Sequence, residues 1–159
     1  MLFAQKGESI LAALTGQVIS ITEVDSPIFA GKVVGDGVAI IPTSGEVKAP
    51  ISGTIAFIGE QKHTYGITGY DGIEVLIHLG IGTVSLNGEG FTPLVKPGQK
   101  VTAGDRIAIV DWESIKAKGF DITCPEVITS TAIDKIKRLT INEGFATSAL
   151  TACMRYVLK

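Results

Sequence analysis

The apolar residues of this chain fall in short runs that alternate with polar ones. In residues 73–79, IEVLIHL, Ile73, Val75, Ile77 and Leu79 point to one side of an extended backbone. Glu74, Leu76 and His78 point to the other. One side is wholly apolar and the other mixed, which predicts a half-buried strand ending in a histidine. Comparable runs at 10–14, 17–24, 38–42, 46–49, 54–58, 64–68, 106–111 and 149–158 read as further strands. Turn formers separate them: Thr15-Gly16, Asp25-Ser26-Pro27, Gly35-Asp36-Gly37, Thr43-Ser44-Gly45, Gly69-Tyr70-Asp71-Gly72 and Lys96-Pro97-Gly98. Many short strands with glycine- and proline-rich turns predict an all-β fold, an antiparallel β-sandwich or barrel. Helix is expected only as one or two short turns, at 112–118 and 132–138, the second with Thr131 as its N-cap. Leu14-Thr15-Gly16-Gln17-Val18 echoes Ile51-Ser52-Gly53-Thr54-Ile55. Two independent turns and a duplicated half-motif explain that echo equally well.

The run at 64–68 and the run at 73–79 suit a hairpin. A four-residue loop at 69–72 sets Thr68 opposite Ile73 and, carried back, His63 opposite His78. Opposed residues have Cβ atoms ~4.5–5.5 Å apart, so the two imidazoles would stand side by side. They are the chain's only histidines.

Composition narrows the class without changing the fold. With 159 residues, 45% hydrophobic and 19% charged, the chain suits one globular domain spanning 1–159. A net charge of −2 with no basic run argues against nucleic acid or a membrane held by bulk charge. No stretch approaches the ~20 apolar residues of a membrane span, and none resembles a signal core, so direct membrane insertion is not expected and a cytoplasmic location is. Cys124 and Cys153 lack metal-knuckle or redox-pair spacing and are expected to be reduced and buried.

Imidazole, with an unperturbed pKa of ~6.5, is a neutral nucleophile at cell pH. One ring nitrogen could attack an activated phosphoryl group while the neighbour steadies the developing charge. Gly80 and Gly82 would leave backbone amides open to an anion. A structural cross-strand pair is the bland alternative. Zinc is another, but two imidazoles do not complete its shell, so a partner would have to supply the rest.

GIEVLIHLGIGTV, residues 72–84, resembles the active-site motif of the glucose-type IIA domains of the bacterial phosphoenolpyruvate-dependent sugar phosphotransferase system. The resemblance extends through 27–55 (PIFAGKVVGDGVAIIPTSGEVKAPISGTI), 62–67 (KHTYGI), 85–91 (SLNGEGF) and 98–105 (GQKVTAGD), and is poor over 142–159. Residues 114–131 lean toward the β-glucoside and sucrose branch. The resemblance implies an antiparallel β-sandwich of the duplicated hybrid motif type. It implies that His78 accepts a phosphoryl group from the phosphocarrier protein HPr on Nε2 and passes it to a cysteine of a IIB domain. His63 would hold the phosphoryl group and serve onward transfer, with Gln61, Gly80, Gly82 and Thr83 supporting the site. Ile28, Phe29, Val33, Val34 and Leu76 would form an apolar docking rim. No resident cofactor is implied.

Three positions depart from the family pattern. Gly82 stands where an aspartate is usual, Ser26 where a second acid is usual, and Gln61 where a threonine is usual. Loss of acids beside the site also fits a regulatory module that HPr phosphorylates without onward transfer. A zinc peptidase of related architecture would need a His-x-His pair, and Gly80 fills its second position. A biotin- or lipoyl-carrier would need a lysine at its hairpin tip, which here is residues 69–72.

Overall fold

A computed structural model describes residues 7–159 of the chain. Strands dominate it: β1 Glu8–Leu11, β2 Gly16–Ser20, β3 Gly35–Pro42, β4 Glu46–Lys48, β5 Gly53–Ile58, β6 Thr64–Gly69 and β7 Glu74–His78. Then come β8 Phe91–Pro93, β9 Lys100–Val101, β10 Arg106–Val110, β11 Cys124–Thr129, β12 Ile136–Ile141, β13 Gly144–Ala146 and β14 Ala152–Leu158. The described strands pair antiparallel, in an eight-stranded sheet β13-β2-β3-β11-β7-β6-β5-β9 and two three-stranded sheets, β1-β14-β12 and β4-β10-β8. This is the all-β antiparallel arrangement that the turns predict.

The sheets close on a main core drawn from Ile10 to Tyr156 along the chain. Ile73, Val75, Ile77 and Leu79 are all fully buried in it. A second, smaller core lies on the other face of the large sheet. Leu76, Val127 and Ala39 project there from β7, β11 and β3, and Ile21, Val24 and Phe29 cover them. The alternation in 73–79 therefore serves two cores, and His78 stands on the side of the smaller one.

That cover is built locally. β2 stops at Ser20, short of the predicted 17–24, because Ser20 and Glu23 form a capping box over the 3₁₀ turn Ile21–Glu23. The Ser20 amide donates to Glu23 Oε2 at 3.1 Å. The predicted turn at Pro27 leads directly into a helical turn, α1, Pro27–Ala30. Its first residue is proline, whose fixed φ and missing N–H suit that place.

Other expectations shift. The first strand is Glu8–Leu11, not 10–14, because Ala13 turns its amide onto Glu126. The helix expected at 112–118 is α2, Trp112–Ala117, capped by Asp111. That expected at 132–138 is only a 3₁₀ turn, Ile133–Lys135, followed by β12. Thr131 is not its N-cap; Ala132 is, and the Thr131 hydroxyl meets that of Thr129. The final strand begins at Ala152, not 149. Gly16 and Gly53, the echoed glycines, have matching surroundings. A Cβ on Gly16 would lie 2.0 Å from the Ile41 carbonyl oxygen, and one on Gly53 2.0 Å from that of Thr68. Each opens a strand against the neighbouring strand's backbone, which favours the duplicated half-motif. Both cysteines are free and buried. Among the described residues no helix is long and apolar enough to cross a membrane.

Candidate phosphoryl-acceptor site

The hairpin β6–β7 carries the site, in a register one residue from the predicted one. Thr68 pairs with Glu74, and Thr64, not His63, pairs with His78. The loop holds one more residue than expected. Gly69 donates to the Ile73 carbonyl at 2.8 Å, Asp71 Oδ1 accepts from the Ile73 amide at 3.1 Å, and Gly72 takes φ +85°. His63 instead lies opposite Leu79, whose amide donates to its carbonyl at 2.7 Å. The imidazoles still meet. β6 begins only at Thr64, and Lys62 has φ +64°, so the chain bends just before His63. The ring centroids are 4.9 Å apart with planes at 88°.

Phe29 packs edge-on against His78, with centroids 4.9 Å apart. Phe91 lies 6.4 Å from His63. His78 Nδ1 meets the Gly80 carbonyl oxygen at 2.6 Å. A carbonyl only accepts, so Nδ1 carries the proton and Nε2 keeps its lone pair. Burial lowers the His78 pKa to about 4, with repulsion from His63 adding and the Gly80 bond opposing. Burial also lowers the His63 pKa. Both rings are therefore neutral at neutral pH. Among the described residues His63 Nδ1 is buried without a partner.

The two histidines open into a depression of about 220 Å³ lined also by Ser26, Ile28, Phe29, Ile81, Gly82 and Val84. Among the described residues its lining holds no ionisable group besides the imidazoles. Of the candidate rim, Ile28 is 52% and Val33 64% exposed. Val34 is half-buried. Phe29 and Leu76, at 3% and 9%, are core residues beneath His78 and present little surface to a partner. Ile81 and Val84 take their place on the rim. The strand alternation does not mark them, because Ile81 lies in the loop after His78 and Val84 in the 3₁₀ turn Thr83–Leu86.

The support residues divide. Gly80 is buried with φ +82° and turns its carbonyl to His78, so it is not open to an anion. Gly82 is exposed, has φ +74°, and a Cβ there would meet nothing within 4 Å. Thr83 is fully buried, and its hydroxyl donates to the Leu79 carbonyl at 2.6 Å. Gln61 is half-buried in the turn before His63 and does not line the depression. Among the described residues no three His, Cys, Asp or Glu side chains are grouped to hold a metal ion.

Comparison with known proteins finds relatives along most of the chain. Residues 8–133 match the family model of the phosphoenolpyruvate-dependent sugar phosphotransferase system, EIIA 1. A glucose-specific EIIA component of Buchnera aphidicola is 44% identical over 142 residues, covering 89% of this chain and 87% of that protein. A glucose-specific EIICBA component of Streptococcus pneumoniae is 38% identical over 98% of this chain, which spans 21% of that longer protein. The structure of glucose permease IIA from Mycoplasma capricolum superimposes with a TM-score of 0.86 at 33% identity, covering 97% of this chain and 99% of that one. All three carry a glucose name, and none a β-glucoside or sucrose one.

Proposed function

The chain belongs to the EIIA 1 family of the phosphoenolpyruvate-dependent sugar phosphotransferase system, and from that premise we propose that His78 is its phosphoryl acceptor. It takes the group from HPr and passes it to a cysteine of a IIB domain, in the cytoplasm and without a resident cofactor. The observation that carries this reading is the bond from His78 Nδ1–H to the Gly80 carbonyl, which leaves the Nε2 lone pair beside a second imidazole. The relative named an EIICBA component supports a IIB partner, since its matching region sits in one polypeptide with B and C parts.

The chemistry follows from those atoms. The Nε2 lone pair forms a new N–P bond as the bond between phosphorus and the donor's imidazole breaks. Nδ1 keeps its proton on the Gly80 carbonyl throughout. When the phosphoryl group moves on, the N–P electrons return to Nε2 and the imidazole leaves neutral, with no proton needed. His63 donates a hydrogen bond to the phosphoryl oxygens, a role open to it once the new negative charge raises its own proton affinity. Ile28, Val33, Val34, Ile81 and Val84 form the apolar rim on which HPr and the IIB domain dock in turn. Burial of such a rim excludes water and strengthens the few polar contacts at the centre.

The test uses phosphoenolpyruvate, the general phosphotransferase enzyme that phosphorylates HPr, and HPr itself. Acid-labile phosphate is expected on His78 and absent from His78→Ala. His63→Gln is expected to accept label but pass it to a IIB domain poorly. An unlabelled protein beside a labelled control IIA domain overturns the reading.

A further inference from the structure

Two successive peptide groups follow His78; the first is held at its carbonyl and the second at both of its ends. In the first, the Leu79 carbonyl accepts from the Thr83 hydroxyl at 2.6 Å. In the second, the Gly80 carbonyl accepts from His78 Nδ1 at 2.6 Å, and the Ile81 amide donates to the Asp121 carbonyl at 2.9 Å. Two of these three bonds face the protein, and only the His78 bond faces the site. A peptide plane fixed at both ends cannot turn its carbonyl away. The direction of the Gly80 carbonyl therefore depends on the anchors behind it.

Thr83 is the anchor that the sequence can vary. It is fully buried, though hydroxyl side chains are mostly exposed. Both branches of its side chain are engaged. The hydroxyl reaches back four residues to Leu79, and the methyl occupies the space a Gly80 side chain would need, 2.5 Å from an added Cβ. Gly80 and Thr83 are thus complementary: a glycine at 80 makes room for the methyl that seats the hydroxyl. Thr83 itself opens the 3₁₀ turn Thr83–Leu86, so its backbone is tied to a regular element.

We propose that Thr83 is a positioning residue for His78: its hydroxyl fixes the Leu79–Gly80 peptide, which aims the Gly80 carbonyl at Nδ1 and so keeps the lone pair on Nε2. The inference rests on His78 being the phosphoryl acceptor, but its first readout does not. An imidazole with the proton on the other nitrogen presents an N–H to phosphorus and is no nucleophile there. Thr83 acts on which nitrogen can react, without touching the phosphoryl group.

The experiment is long-range ¹H–¹⁵N NMR of the His78 ring in wild type, Thr83→Val and Thr83→Ser, with the phosphorylation rate by HPr measured alongside. Wild type and Thr83→Ser are expected to show Nδ1 protonated and Nε2 bare. Thr83→Val, which keeps the methyl and loses the hydroxyl, is expected to show both tautomers and a phosphorylation rate lower by about tenfold or more. A Thr83→Val spectrum like that of wild type overturns the proposal. If Thr83→Val does not fold, wild type and Thr83→Ser decide: Nε2 protonated in wild type, or mixed tautomers in Thr83→Ser, overturns it. A protein that HPr never labels still yields the ring spectra, so failure of the acceptor reading and failure of this one are told apart.

Discussion

Position 82 shows what one residue does to the site. A carboxylate there would sit at the edge of the depression, and glycine leaves its lining without one. The space is open, since a Cβ would meet nothing within 4 Å. The backbone is the obstacle: φ is +74°, where side chains cost about 1–2 kcal/mol, with aspartate among the more tolerant. Gly82→Asp is therefore expected to fold, to lose about 1 kcal/mol of stability and to raise the His78 pKa. It should also steepen the dependence of the HPr reaction on ionic strength, because charges within a Debye length of ~8 Å at physiological salt steer encounter. Stopped-flow phosphorylation across a salt series checks this, and equal slopes for variant and wild type would count against it. The wild-type ring makes its own prediction. With a pKa of about 4, His78 is unprotonated across the neutral range. Phosphorylation by a small donor such as phosphoramidate should be level there and fall about tenfold per pH unit below that pKa. A midpoint near the ordinary histidine value would mean that Phe29 and the surrounding apolar contacts do not desolvate the ring.

At the scale of elements, strand openings depend on close backbone approach. Gly16 and Gly53 each stand 2.0 Å, measured from an added Cβ, from a carbonyl oxygen on the paired strand. A backbone atom cannot step aside as a side chain can. Gly16→Ala and Gly53→Ala should each cost about 3 kcal/mol by urea unfolding. Gly98→Ala, with open space and φ +86°, should cost only about 1 kcal/mol. Similar costs at all three sites would mean that the sheet yields at 16 and 53. These same elements show what the sequence makes legible. Strands flanked by clear turns, such as β4 to β7, stand where the alternation puts them, within a residue, whereas β3 starts three residues early and runs through the expected turn at Gly35-Asp36-Gly37. β11 was invisible although it lies between β3 and β7 and is buried along its whole length. A strand covered on both faces has no alternation to read, and Pro125 and Glu126 break its apolar run. β12 was hidden differently: a register shift between Ile136 and Arg138 breaks its period of two, so the run imitates a helix. The hairpin's error was one residue of loop, which propensity does not resolve. The histidine pairing survived it because the Lys62 bend restores what the register removes.

Across the whole molecule, Glu126 ties the large sheet to both ends of the chain. It is 1% exposed, accepts from the Ala13 amide at 2.8 Å and receives the Cys153 thiol at 3.3 Å. No cation is among its described partners. Burial pushes its pKa up to about 7. A group whose folded pKa exceeds its unfolded value stabilises the fold at low pH, and that stability is lost as pH rises through the folded value. For Glu126 the window runs from the unfolded value of 4.5 to about 7. His78 runs the other way. Its folded pKa, about 4, lies below the ordinary 6.5, so its stability is lost as pH falls through that interval. Each contributes about 1.4 kcal/mol per pH unit, with opposite sign, where the windows overlap. One buried acid and one half-buried base thus flatten each other's pH dependence, and removing either exposes the other. Glu126→Gln mimics the protonated acid and can still accept from Ala13. Its stability, followed by urea unfolding at several pH values, should rise relative to wild type by about 1.4 kcal/mol per unit between pH 4.5 and 7 and then run parallel to it. Parallel curves throughout would mean that Glu126 ionises at its ordinary pKa inside the core, and the balance between acid and base would then have to come from elsewhere.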